Sequence, residues 1–178
     1  MKKGMILILI TVFGCDINAD KKVTLDNFEF KTGDDTELFF KNVRQSYYDL
    51  EENQAAKFNL FRFSDRVVSD SLPILNLVIV INYLQDEAYL FLEPNEILAA
   101  YEPLILSWEN DTDGTKGQYM LQAMNRDSML SFSTKIYNSL MTNHELVLTD
   151  GTAILSSKKQ REAFRITMAD YYRLTRLD

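Results

Sequence analysis

The chain has 178 residues, of which 46% are hydrophobic and 21 are aromatic, enough for a folded domain with a core rather than a disordered segment. Its formal net charge is −7, and a surface of that sign repels phosphate backbones, so nucleic-acid binding is disfavoured. A single cysteine and a single histidine exclude an intrachain disulfide and a zinc site built from Cys and His ligands. The sequence contains no glycine-rich phosphate loop and no nucleophile elbow, and we predict no cofactor.

Residues 1–14 have the features of a signal peptide. Lys2 and Lys3 form a basic start, and the apolar run at 4–13 is too short to cross a bilayer as a helix. The run ends in Val-Phe-Gly-Cys at 12–15, which resembles the lipobox of bacterial lipoproteins. This resemblance implies cleavage before Cys15, a diacylglycerol thioether on its sulfur and, usually, an acylated amino terminus.

A lipobox implies a membrane-anchored protein of the bacterial cell envelope. Several acyl chains make a lasting anchor, because each buried methylene contributes about 0.8 kcal/mol. Residues 15–22 would be the lipidated cysteine and a short tether. Asp16 resembles the inner-membrane retention signal of enterobacterial lipoproteins, but other bacterial groups sort differently, so either membrane remains open. Removal of the signal peptide would take the formal charge to −9. The alternative is a buried N-terminal strand that happens to contain a cysteine.

The remainder, 23–178, is predicted to be a single domain that begins with extended segments. We predict strands at 23–30, at 37–49 (with a helix as the alternative) and at 58–63, separated by turns at 32–35 and 50–54.

The stretch at 72–93 is the most apolar part of the mature chain and predicts a central hairpin at about 74–93. Both alternating sets of side chains are apolar, as expected for strands buried on both faces. Residues 85–87 are a polar loop, and Pro73 and Pro94 bracket the stretch, where the missing N–H donors do least harm.

The apolar spacing changes from strand-like to helical in the C-terminal third. We expect a helical turn within 95–102, a hairpin formed by 104–108 and 117–124, and a short strand at 145–149. Helices are predicted at about 127–142, with Asp127 as N-cap, and at about 157–175, where Ser157 and Gln160 form a capping box. This pattern predicts an α+β fold: an antiparallel sheet with both C-terminal helices packed on one face.

The segment 109–114 has alternating carboxylates that are typical of calcium-binding loops. Glu109, Asp111 and Asp113 would take the first, third and fifth positions and Gly114 the sixth, whereas Met120 stands where a bidentate Glu is needed. An acidic hairpin loop explains the same residues.

Two further patterns suggest sites but also have ordinary explanations. A Ser-His-Asp triad would have to use His144, which follows a helix and has no nucleophile beside it in sequence. The last helix begins with Lys158, Lys159, Arg161 and Arg165, which suggest contact with anionic lipid or an acidic partner, or a solvated helix face paired with the protein's own carboxylates.

We therefore expect a lipid-anchored, non-catalytic envelope protein that binds another protein or serves an assembly. One alternative is a periplasmic inhibitor or immunity protein against a basic toxin or lysozyme-like enzyme, since negative charge would aid its capture. The other is a hydrolase that uses paired carboxylates, for which the sequence offers Asp34 and Asp35, Glu51 and Glu52, and Asp86 and Glu87.

Overall fold

The computed structural model describes residues 23–25, 28–110 and 112–177, and it has the predicted α+β architecture. The strands are β1 (Tyr48–Asn53), β2 (Phe58–Phe63), β3 (Leu75–Asn82), β4 (Glu87–Pro94), β5 (Ile105–Glu109), β6 (Lys116–Met120) and β7 (Glu145–Val147). The helices are α1 (Asp34–Phe39), α2 (Glu96–Ala99), α3 (Arg126–Met141) and α4 (Lys158–Thr175). A π-helical turn, Phe40–Arg44, and a 3-10 turn, Gln45–Tyr47, continue α1 as far as β1.

The first four strands form an antiparallel sheet in the order β1-β2-β3-β4. The central hairpin is confirmed as β3 and β4, in which Ile79 lies opposite Leu90 and Ile81 opposite Ala88. β-Branched side chains suit such strands because they pack well on a pleated surface. Asp86 closes the turn with a φ of 52°, a left-handed conformation that Asp tolerates better than most residues.

This sheet has an inner and an outer face. The inner face joins the main hydrophobic core, in which Phe61, Ile79 and Leu90 have no solvent exposure. The outer face carries a smaller cluster built around Val78, Val80 and Tyr89.

Helices α3 and α4 cover the inner face, as predicted. α3 contacts β4 and α4, and α4 contacts both β3 and β4. The helical stripes identified in the sequence are buried, including Phe132 and Ile136 of α3 and Met168 and Tyr171 of α4. The predicted capping box of α4 is present.

The N-cap of α3 differs from the prediction. The side chain of Asn125 accepts the N–H of Ser128, so Asn125 is the cap and Asp127 lies in the first turn. A cap needs an extended backbone and an acceptor three residues before a free N–H, and Asn125 meets both requirements.

The other three strands form a second sheet in the order β6-β5-β7, which the sequence did not separate from the first. It shares the main core through Leu106 of β5 and Leu146 of β7. Tyr119 of β6 ties it to α3, because its hydroxyl lies 2.8 Å from Ser139 Oγ.

Four predictions for the N-terminal part were wrong. The turn at 32–35 is instead the start of a helix, because Asp34 and Asp35 begin α1. The described residues of 23–30 form no regular strand. This segment reaches the sheet through the hydrogen bond from the Ala88 N–H to the Phe30 carbonyl and through an isolated bridge at Lys31. Most of 37–49 is helical, the alternative conformation, because Phe40 enters the core while flanking residues stay exposed. The turn expected at 50–54 is mostly β1, whose carboxylates are exposed on an edge strand.

Candidate binding surface

The outer face of the four-stranded sheet has an apolar centre. Phe58 and Leu60 of β2 are half-buried, and Phe91 of β4 keeps 37% of its surface exposed. Tyr89 stacks on Phe91 with the rings 6.5 Å apart and inclined by 14°. Among the described elements, α3 and α4 pack on the opposite face, so these side chains form an accessible stripe.

Charged side chains border one end of this stripe. Arg62 donates to Glu93 and to Glu51, each at 2.7 Å, which links β1, β2 and β4 across the sheet. Arg66 pairs with Asp49, and this bond holds the pKa of the Asp49 carboxyl below its usual range. This end is therefore an ion-paired polar rim beside an apolar patch, an arrangement common in protein interfaces.

A second set of charged side chains borders the other end of the stripe. Lys31 lies 3.1 Å from Glu87, and the guanidinium of Arg126 lies 4.8 Å from the ring centre of Phe30 and 5.5 Å from that of Tyr89. Hydrogen bonds from Tyr89 first and Lys31 second lower the pKa of Glu87.

A groove of about 270 Å³ adjoins the rim at the end where β3 begins. It lies between Arg62, Arg66 and the loop that precedes β3. Asn95 holds this loop in place: its amide donates to the carbonyl oxygens of Ser69 and Leu72, both at 2.7 Å. The groove is therefore a formed feature next to the apolar stripe.

His144 does contact a serine. Its Nδ1 lies 3.1 Å from Ser139 Oγ, and its ring stacks on Trp108 at 4.5 Å. Ser139 is 1% exposed, and it also bonds to Tyr119 and to the N–H of His144 through its carbonyl. A nucleophile must reach its substrate, so this buried serine does not have the geometry of a catalytic one. Asn143, with a φ of 58°, follows the end of α3. The contacts of Ser139 with Tyr119 and of His144 with Trp108 fasten that end to the second sheet.

A buried carboxylate lies on α4 and was not singled out in the sequence. Asp170, 4% exposed, accepts Arg44 Nε at 2.8 Å and the Tyr48 hydroxyl at 2.7 Å. Burial first, and the Asp170 charge second, raise the pKa of Tyr48 far above its ordinary value. The Asp170 carboxylate therefore ties the π-helical turn, through Arg44, to α4. No spacing in the sequence indicates this contact, because it joins positions 126 residues apart.

The proposed calcium loop is a hairpin turn between β5 and β6. Glu109 pairs with Lys116 at 2.8 Å, and Asp113 accepts the hydroxyl and the N–H of Thr115. These bonds lower the pKa of Asp113. Asp111 lies outside the described residues, and within the part of the chain that the structure describes, no three metal-ligating side chains come together.

One carboxylate of each adjacent acidic pair already has a cationic partner. Asp35 bonds to Arg176, Glu51 to Arg62 and Glu87 to Lys31. Glycosidic hydrolysis needs two carboxyls facing each other across a cleft, and these three pairs lie apart, at the start of α1, in β1 and at the β3–β4 turn.

The four cations predicted as a binding candidate lie together at the start of α4. Lys158, Lys159 and Arg165 are exposed, and Arg161 donates to the carbonyl oxygen of His144 at 3.2 Å from both terminal nitrogens.

Cys15 and the signal peptide lie outside the described residues. No helix in the described ranges is long and apolar enough to cross a bilayer. Comparisons with protein-family models, curated protein sequences and solved structures gave no significant match.

Proposed function

We propose that this protein is a lipid-anchored, non-catalytic component of the bacterial cell envelope that binds another protein through the outer face of its four-stranded sheet. The observation that carries the proposal is the accessible apolar stripe at Phe58, Leu60 and Phe91, bordered by ordered charged side chains. Exposed apolar patches with polar rims mark protein-binding surfaces.

The resemblance of residues 12–15 to a lipobox supports the anchor on Cys15. Growth with a fatty acid that carries an alkyne should label the protein, and Cys15→Ser should abolish the label. Equal labelling of the variant would reject lipidation at that residue.

A basic partner fits the charge of the molecule best. The mature formal charge is −9, and the four cations of the α4 cluster lie on one end of the body, which leaves −13 on the rest. Charge of this size steers an oppositely charged protein and accelerates its capture. This is the observation that favours the second candidate function, an inhibitor or immunity protein against a basic toxin or lysozyme-like enzyme.

Site-specific photo-cross-linking in the native envelope tests the binding face. A photoreactive phenylalanine analogue at Phe91 should form a covalent adduct with one partner, which mass spectrometry identifies. The same analogue at Leu38, which is 60% exposed on α1, is the matched control and should give no such adduct. An isoelectric point of the partner well above neutrality is expected. Equal adducts at both positions, or none at Phe91, would contradict the proposed face.

The hydrolase alternative has the least structural support. One carboxylate of each adjacent pair is bound to a cation, and Ser139 is buried. The groove beside β3 is lined by Arg62 and Arg66, with Glu93 as its carboxylate. Turnover of a peptidoglycan or glycoside substrate by the purified protein, at a rate that Glu93→Gln abolishes, would favour this alternative instead.

A further inference from the structure

The cations at the start of α4 form one cluster, defined by Lys158, Lys159, Arg161 and Arg165. Lys158, Arg161 and Arg165 recur at spacings of three and four residues, which places them on one side of the helix. None of the four makes an ion pair with a carboxylate of the described residues. The protein's own described surface therefore does not neutralise the cluster through direct pairs.

The position of these charges is unfavourable for the isolated helix. Cations in a first turn oppose the helix dipole, and Lys158 and Lys159 both lie there. Glu162 on the same helix and Glu145, whose charge acts on Arg161, are carboxylates of this region. Neither makes a direct ion pair with the four cations, so an external anionic surface would stabilise the cluster.

The chain enters the body beside this cluster. The N–H and carbonyl of Val23 bond to the side-chain amide of Asn138 on α3, at 3.3 and 3.2 Å. One turn further along α3, Met141 accepts the Nε–H of Arg165 at 3.2 Å. Cys15 and Val23 are eight residues apart, and that length of chain spans at most about 28 Å. An anchor on Cys15 would therefore keep this end of the body close to the bilayer.

The opposite end is defined by the turn between β3 and β4. The N-terminal half of α4 lies near the start of β3, where Phe164 and Leu75 line a common small cavity. The C-terminal half lies near the other end of the hairpin, because the Tyr171 hydroxyl donates to the carbonyl of Ala88. Leu84, which is 74% exposed in the β3–β4 turn, is therefore far from the cluster along α4.

We propose that the α4 cluster docks on the anionic phospholipid headgroups of the membrane that holds the anchor, which orients the body with the β3–β4 turn pointing away. This proposal rests on the lipid anchor of the proposed function. Each Lys or Arg at an anionic surface increases the bound population about fivefold. The anchor supplies the local concentration, so four cations suffice to fix the orientation although the whole domain is acidic.

Fluorescence quenching in reconstituted vesicles tests the orientation. The acylated full-length product, isolated from membranes, is placed in vesicles of phosphatidylcholine with one third phosphatidylglycerol, or of phosphatidylcholine alone. A fluorophore is attached to Ser156→Cys, beside the cluster, or to Leu84→Cys, at the far end. Acylation occupies the sulfur of Cys15, so the introduced thiol carries the dye, and the mass of the product reports both modifications.

Headgroup-attached nitroxides should quench the dye at position 156 several-fold more than at 84 in the anionic vesicles. The difference should fall to the smaller value set by the anchor alone in phosphatidylcholine and in 1 M salt, where the Debye length is about 3 Å. Lys158→Gln with Lys159→Gln should reduce the ratio of docked to undocked protein about thirtyfold. Lys41→Gln with Lys57→Gln, which removes the same charge elsewhere, should leave it unchanged.

The possible failures are distinguishable. An acylated protein whose two positions are quenched equally in anionic vesicles, or whose quenching at 156 is undiminished in uncharged lipid or after loss of the lysines, overturns the docking and leaves the anchor intact. A product whose mass shows no lipid on Cys15, and which does not float with vesicles, overturns the anchor and the docking together.

Discussion

The two faces of the four-stranded sheet are built from the same strands, yet they differ in how far their apolar side chains are buried. On the inner face, Phe61, Ile79 and Leu90 are fully buried beneath α3 and α4. On the outer face, Phe91 remains 37% exposed beside an ordered charged rim. Apolar residues that are buried stabilise the fold, whereas apolar residues left in contact with water cost the free protein solubility and are available for binding. We therefore expect substitutions on the inner face to lower stability and substitutions on the outer face to weaken binding.

The largest expected effect is on the inner face. Phe61→Ala should lower the free energy of unfolding by about 3–5 kcal/mol, because it removes a fully buried ring and leaves a cavity. Phe91→Ala, its counterpart on the outer face, should cost less than about 1 kcal/mol. Urea unfolding followed by circular dichroism measures both. Equal losses would mean that the two faces do not differ in the way described.

The buried carboxylate on α4 should have the next largest effect. Asp170→Ala should destabilise the protein by about 3 kcal/mol, because it leaves the Arg44 charge and the Tyr48 hydroxyl without their partner. Asp35→Ala, which breaks the exposed pair with Arg176, is the control and should leave the unfolding midpoint unchanged. A similar midpoint for both variants would contradict a structural role for the buried group.

These buried contacts show where sequence reasoning succeeds and where it stops. The hairpin β3–β4 and the helices α3 and α4 were predictable, because each is specified by local periodicity and by nearby residues such as Pro73 and Ser157. The helical course of 34–47 was predicted only as the alternative for 37–49, since its amphipathic pattern is short. The contact of Arg44 with Asp170, which holds this segment against α4, joins distant positions that no local pattern connects.

The candidate surface was only partly predictable. The sequence showed that both faces of β3 are apolar and that the second face needs cover, but not which residues border it. The charged rim joins Arg62 to Glu51 and Glu93, side chains from three strands whose register the sequence does not state. The cluster at Lys158 was visible because it is local, whereas its closeness to Val23 depends on tertiary structure.

The second sheet offers a smaller test of close packing. A methyl group at Gly117 would lie 2.5 Å from the Trp108 ring, so Gly117→Ala should cost about 1–3 kcal/mol and shift the emission of the chain's single tryptophan. Gln118→Ala, at the exposed neighbouring position, should change neither the stability nor the tryptophan emission. Wild-type emission and stability in Gly117→Ala would show that the indole does not lie against this strand.

Three buried tyrosines of the main core should make the stability of the protein fall at high pH. Burial raises the pKa of Tyr48, Tyr171 and Tyr172 well above the ordinary value of 10.0. Above pH 10 the unfolded chain loses phenol protons that the folded chain keeps. The free energy of unfolding therefore falls as pH rises, by about 1.4 kcal/mol per buried tyrosine at pH 11. Tyr172→Phe should make the loss of stability at pH 11 smaller by about 1.4 kcal/mol, the share of one tyrosine. An unchanged slope in this variant would contradict burial of its hydroxyl.

The most direct test of the central claim combines stability and binding in one variant of the outer face. Phe91→Ser, with the photoreactive analogue placed at Leu60, should retain wild-type unfolding within about 1 kcal/mol and lose the covalent adduct with the partner in the native envelope. An adduct as strong as that of the protein with Phe91 intact, formed by a folded variant, would show that partner binding does not use this face.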